Sequence, residues 1–165
     1  MYQRILVPLK LTDSDVDILA HAAGLGRLTG GALTLCYVAH THSRDASTTM
    51  LDRARRELDE RARELRAQGL TVDVALETGE PAEGILRVAR AVDADLIVMA
   101  SHGHNPVRHF LLGSVTEAVV RSDTFPVLLV RPLGPAVGTA KSGPTEPPTE
   151  SPAERPPTVP PDARA

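Results

Sequence analysis

The chain has 165 residues, enough for one domain with a sizeable core and an appended segment. Eighteen Lys and Arg against 21 Asp and Glu leave a net charge of -3, which provides no electrostatic pull toward nucleic acid or an acidic membrane surface. The only Phe and Tyr are Tyr2, Tyr37, Phe110 and Phe125, too few for the stacking platforms of single-strand binders, so nucleic acid is not expected as a partner. No run approaches the roughly 18 apolar residues of a membrane span. The first residues pass straight into a strand-like run without the layout of a signal peptide, and the lone Cys36 sits in an apolar stretch where no intrachain disulfide can form. A cytoplasmic protein with no membrane partner is the expectation.

In chain order, short apolar runs alternate with longer amphipathic ones. Residues 4–9 read as a strand, followed by a helix over 14–29 with Val16, Leu19, Ala22, Ala23 and Gly26 on its buried face and Gly30-Gly31 as its stop. A second strand spans 32–39. The helix over 45–68 spaces Leu51, Ala54, Leu58, Ala62 and Leu65 three or four apart, with Asp52/Arg56, Glu57/Arg61 and Asp59/Arg63 able to pair on its wet side. Gly69 suits the left-handed residue that ends it. A third strand is expected over 71–76. A helix with Pro81 at its first position then buries Ile85, Leu86, Val88 and Ala89. A strand over 95–100, a helix from Ser114 and a last strand over 127–131 complete the pattern.

Strands that are almost continuously apolar are those buried on both faces, and a helix stands in every gap between them. The fold class is therefore α/β, an open five-stranded parallel sheet with helices on both faces. Composition changes after Arg131: ten of the 14 prolines lie between Pro132 and Pro161 among Thr, Glu, Ser and Gly. This predicts a domain over 1–131 and a disordered Pro-rich tail over 132–165, because such a segment buries too little apolar surface to offset its ordering entropy.

Ligands of open α/β sheets sit outside the carboxyl ends of the strands, where strand order reverses. The segment after the fourth strand is the most informative. Gly103 permits close backbone approach to a ligand, and Gly113-Ser114 opens a helix whose free amides and positive dipole end suit phosphate. Ser114 with Glu117 three residues on also spells a capping box, which needs no ligand; the two readings are compatible.

These residues resemble the universal stress protein family. Gly103, the nine residues that follow it, and Gly113-Ser114 match the spacing of the family's ATP-binding loop. Similarity extends to Arg4-Ile5-Leu6-Val7-Pro8, Thr78-Gly79-Glu80-Pro81, Ala94-Asp95-Leu96-Ile97-Val98-Met99 and Phe125-Pro126-Val127-Leu128-Leu129-Val130, covering residues 1–131. The resemblance implies a Rossmann-like fold of the adenine nucleotide alpha hydrolase type and an ATP or other adenine-nucleotide site at Pro8, Leu9, Val38, Ala100, Gly103, Gly113, Ser114 and Val115. It also implies a homodimer paired through the last strand, Val127 to Arg131, and a stress-response regulator, not an enzyme beyond slow ATP hydrolysis.

Two positions depart from the pattern. Ala100 stands where the motif's first glycine would be, and Lys10 stands where ATP-binding members carry an aspartate placed to accept a ribose hydroxyl. Lysine has donors and no acceptor, so that bond is lost, although an ammonium suits phosphate. Both changes leave room for an alternative, an interaction protein of the same fold that holds no nucleotide.

Other chemistries find less support. His40, His42, His102, His104 and His109 fall in ligand-end segments but match no zinc spacing, and no metal site is expected. Neither a Walker A sequence nor a nucleophile elbow is present, so no catalytic residue is assigned.

Overall fold

In the computed structural model, which describes residues 1–40, 48–101 and 113–131, five strands alternate with four helices. They are β1 (Arg4–Pro8), α1 (Asp15–Thr29), β2 (Ala32–Ala39), α2 (Thr48–Ala67), β3 (Val72–Thr78), α3 (Pro81–Ala91), β4 (Leu96–Ala100), α4 (Ser114–Arg121) and β5 (Val127–Val130). The strands form one parallel sheet in the order β3-β2-β1-β4-β5. The chain builds outward from β1 to β3, then crosses back to lay β4 against the other side of β1. Order therefore reverses between β1 and β4.

Each face of the sheet buries its own core. Ile5, Val7, Leu33, Leu35 and Val98 pack with Ile18 and Ala22 of α1 and Leu58, Ala62 and Leu65 of α2. Leu6, Cys36, Ile97 and Met99 pack with Ile85, Val88 and Ala89 of α3 and Val119 of α4. Successive residues of a strand point to opposite faces, so burying both faces makes Ile5, Leu6 and Val7 all core residues. This is the two-faced burial expected from the continuous apolar runs.

The helices follow their sequence signals with some corrections. Gly30 (φ 67°) and Gly69 (φ 85°) take the left-handed conformation that ends α1 and α2. α1 buries Ile18, Ala22, Ala23 and Gly26, whereas Val16, expected in the core, is 67 % exposed. Apolar residues surround α1, so period alone does not choose its inner stripe; packing against β1 and β4 does. In α2, Ala54, Leu58, Ala62 and Leu65 are buried and Leu51 is half-buried. Glu57 pairs with Arg61 at 3.1 Å as expected, but Asp59 takes Arg55, one turn earlier, at 3.0 Å, not Arg63. The expected first residues of that helix, 45–47, lie outside the described residues, as does the whole Pro-rich segment from 132.

The two sheet edges differ. β3 runs two residues past its expected end because all of β2 from Leu33 to Ala39 is available to pair with it. It carries Asp73 and Glu77, and the Arg66 guanidinium donates to the Val72 carbonyl. β5 has no charged residue. As an edge strand it is covered less fully than its apolar run predicts, with Leu128 38 % exposed and only Val130 buried.

Candidate functional site

At the carboxyl ends of β1, β2 and β4 lies a cavity of about 330 Å³, within the usual range for small-molecule sites. Pro8, Leu9 and Lys10 line it where β1 ends, Cys36, Tyr37 and Val38 from β2, and Met99 and Ala100 from β4. Pro81 and Ile85 of α3 and Gly113 to Thr116 at the start of α4 close one side, with Ile18 of α1 adding to the floor. It is mostly apolar, and Lys10 is the one charged side chain among its described lining residues.

Several local features shape this cavity. β1 ends at Pro8, and the chain is kept beside β2 by the Leu9 N–H, which donates to the Cys36 carbonyl at 2.7 Å. α4 starts from Gly113 in an extended conformation (φ -60°, ψ 149°) without any side-chain cap. The Thr116 hydroxyl donates to the Ala100 carbonyl at 3.2 Å and so fastens the start of α4 to the end of β4. Ser114 and Val115, whose amides have no intrahelical acceptor, thus stand at the cavity with the positive end of the helix dipole.

The capping box expected at Ser114 does not form. Gly113, not Ser114, occupies the cap position, and the Glu117 carboxylate turns to Arg121 at 2.8 Å, one turn further along the helix. Starting the helix one residue early makes Ser114 its first residue, from which the hydroxyl cannot close the box. Among the described residues no side chain caps the first-turn amides, and Gly113 to Thr116 line the cavity.

Pro8, Leu9, Val38, Ala100, Gly113, Ser114 and Val115 all line this one cavity, while Gly103 lies outside the described residues. Sequence reasoning did not place Ile18, Cys36, Tyr37, Pro81, Ile85, Met99 or Thr116 there. Proximity to strand ends signals Tyr37 and Met99, but nothing local to the sequence reports that α3 leans over β2. Burial, with the Glu77 charge adding to it, pushes the Cys36 thiol up to about 12, so the thiolate needed for a nucleophile is not formed at neutral pH. His40 meets Glu80 at 3.7 Å beyond β2, and the other four ligand-end histidines lie outside the described residues. Among the described residues no cluster of three His, Cys, Asp or Glu side chains could hold a metal ion, and no helix is long and apolar enough to cross a membrane.

Fold and cavity together define an open, Rossmann-like α/β protein with a cavity of small-molecule size at its topological switch point. The model of the universal stress protein family matches residues 1–131, and the chain belongs to that family. It is 26 % identical over 155 residues to universal stress protein MJ0577 of Methanocaldococcus jannaschii, covering 79 % of this chain and 96 % of that one. The solved structure of the M. jannaschii protein superposes with a TM-score of 0.70 at 27 % identity, again over 79 % and 96 % of the two chains. A universal stress protein from Archaeoglobus fulgidus in complex with dAMP superposes with a TM-score of 0.63 at 25 % identity, over 79 % of this chain and 98 % of that one.

Proposed function

We infer that the chain is a cytoplasmic stress-response regulator that binds an adenine nucleotide, ATP included, and works as a homodimer paired through β5. The observation that carries the nucleotide reading is the cavity at the β1/β4 reversal, closed on one side by the uncapped start of α4. An apolar slot suits a base, and open amides with Lys10 suit phosphate. The A. fulgidus relative holds dAMP, which supports an adenine ligand. No carboxylate or histidine is among the described lining residues.

The dimer reading rests on the contrast between the edges. β3 is guarded by Asp73, Glu77 and Arg66, whereas β5 offers Val127, Leu128 and Leu129 with no charge, an edge that needs cover. Since α4 leads directly into β5, a ligand held at Gly113 bears on the pairing edge.

Lys10 and Ala100 favour a second reading, an interaction protein that holds no nucleotide. Mass spectrometry of small molecules released from purified, denatured protein, followed by calorimetric titration with ATP, ADP and adenosine, decides between them. ATP is expected to bind more tightly than adenosine, and Gly113→Val to abolish the difference by crowding the amides. No heat with any of the three at millimolar concentration, with the fold intact, would leave the interaction protein as the surviving reading.

A further inference from the structure

One buried charged side chain beside the cavity has no part in holding a nucleotide as described above. Asp15, the first residue of α1, is only 1 % exposed. Its Oδ2 accepts the Thr12 N–H at 3.1 Å while its own N–H donates to the Thr12 carbonyl at 3.0 Å, a reciprocal pair that closes the turn leading into the helix. Its Oδ1 does something the helix start does not require: it accepts the Lys10 N–H at 3.2 Å. Between these two bonds Leu11 is held at φ 58°, a left-handed conformation that a leucine rarely adopts unless its surroundings impose it. With Leu9 already tied to Cys36, the backbone is fixed on both sides of Lys10.

Lys10 is the residue of this turn whose charge matters to the cavity. It brings donors and no acceptor, and both Asp15 oxygens are engaged by the turn. Among the described residues the rim therefore has nothing anionic to receive ligand hydroxyls and one cation to receive ligand anions.

We propose that Asp15 is a positioning residue that locks the 9–12 turn and so presents Lys10 to the cavity, making the site select nucleotides over nucleosides by charge. This role rests on the nucleotide reading of the cavity. It goes beyond that reading in naming the ligand property that is read, an anionic oxygen at the β1 side, and the buried group that sets it.

The test is calorimetric titration of the full chain with AMP and with adenosine, for wild type, Lys10→Met and Asp15→Asn, alongside amide hydrogen exchange at Lys10 and Thr12. Lys10 is exposed, so Lys10→Met keeps the fold. It should lower AMP affinity about tenfold, the worth of one charge-assisted contact, and leave adenosine within about twofold. Asp15→Asn turns an amide donor toward one of two N–H groups; it should speed exchange at Lys10 and Thr12 and lower AMP affinity about threefold or more with adenosine unchanged. Equal losses for both ligands, in either variant, would overturn charge selection. An Asp15→Asn protein that is less heat-stable but keeps the wild-type ratio of AMP to adenosine affinity would reduce Asp15 to a brace of the turn with no part in selection. Unchanged exchange in Asp15→Asn would remove the latch by itself, whereas faster exchange in a protein whose wild type binds neither ligand would remove the nucleotide reading and selection with it while the latch stood.

Discussion

Gly84 of α3 couples the packing of that helix to the cavity. A Cβ built at this position would lie 2.6 Å and 2.9 Å from the two methyl carbons of Val38 and 3.4 Å from Cγ of Glu77. Val38 is β-branched, fixed in β2, and lines the cavity, so Gly84→Ala must displace it or lift α3 from the sheet. Overpacking of this kind costs about 1–3 kcal/mol, while alanine's better helix propensity returns about 1 kcal/mol. The net expectation is a loss of about 1 kcal/mol, or a melting temperature lower by about 3–5 °C for a domain of this size. In a Val38→Ala background the collision is gone, and the same change should raise stability by up to about 1 kcal/mol, a coupling of about 2 kcal/mol between the two sites. Thermal and urea unfolding of the four proteins in the cycle measures both quantities. If Gly84→Ala stabilises the protein, or has the same effect in both backgrounds, the close approach of α3 to β2 is not what requires a glycine there.

Two further outcomes follow from the edge strand and the buried thiol. The Pro126 and Val130 carbonyls accept from the Ile97 and Ser101 N–H groups, so alternation along the strand turns the Val127 N–H to the open edge; Val127→Pro should convert a dimer to a monomer in sedimentation, and a wild type that is monomeric at micromolar concentration would end the β5 proposal. Cys36 has its thiol pushed from an ordinary 9.0 to about 12, so the unfolded chain ionises first as pH rises. Below about pH 9 the group has no effect on the slope; from 9 toward 12 it should lower stability by up to about 1.4 kcal/mol per pH unit, and Cys36→Ala should flatten the curve there. Equal slopes in the two proteins would show that Cys36 is not as well shielded as its burial indicates.

Much of this molecule is decided by sequence because its signals are local. Apolar runs too continuous for one-sided burial specify a covered parallel sheet, Gly30 and Gly69 stop helices through a conformation glycine adopts freely, and Pro81 starts one by lacking an N–H that would go unused. The residues that end β1, β2 and β4 are legible as site candidates for the same reason: in a parallel sheet every carboxyl end lies on one side. What tertiary structure alone decided concerns choices between locally equivalent partners. Val16 and Ile18 are equally apolar, and contact with the sheet turned Ile18 inward. Asp59 has an arginine four residues away in each direction, and Glu117 can serve a cap or Arg121; the surrounding geometry selected Arg55 and Arg121. Asp15 reads in sequence as one more acidic residue at a helix start, and only the path of the chain back past Lys10 buries it and gives its second oxygen a partner. Hydrophobic periodicity and turn chemistry act within a few residues and are therefore written in the chain, whereas the partner of a charge or the wall of a cavity depends on which distant segments the sheet brings together.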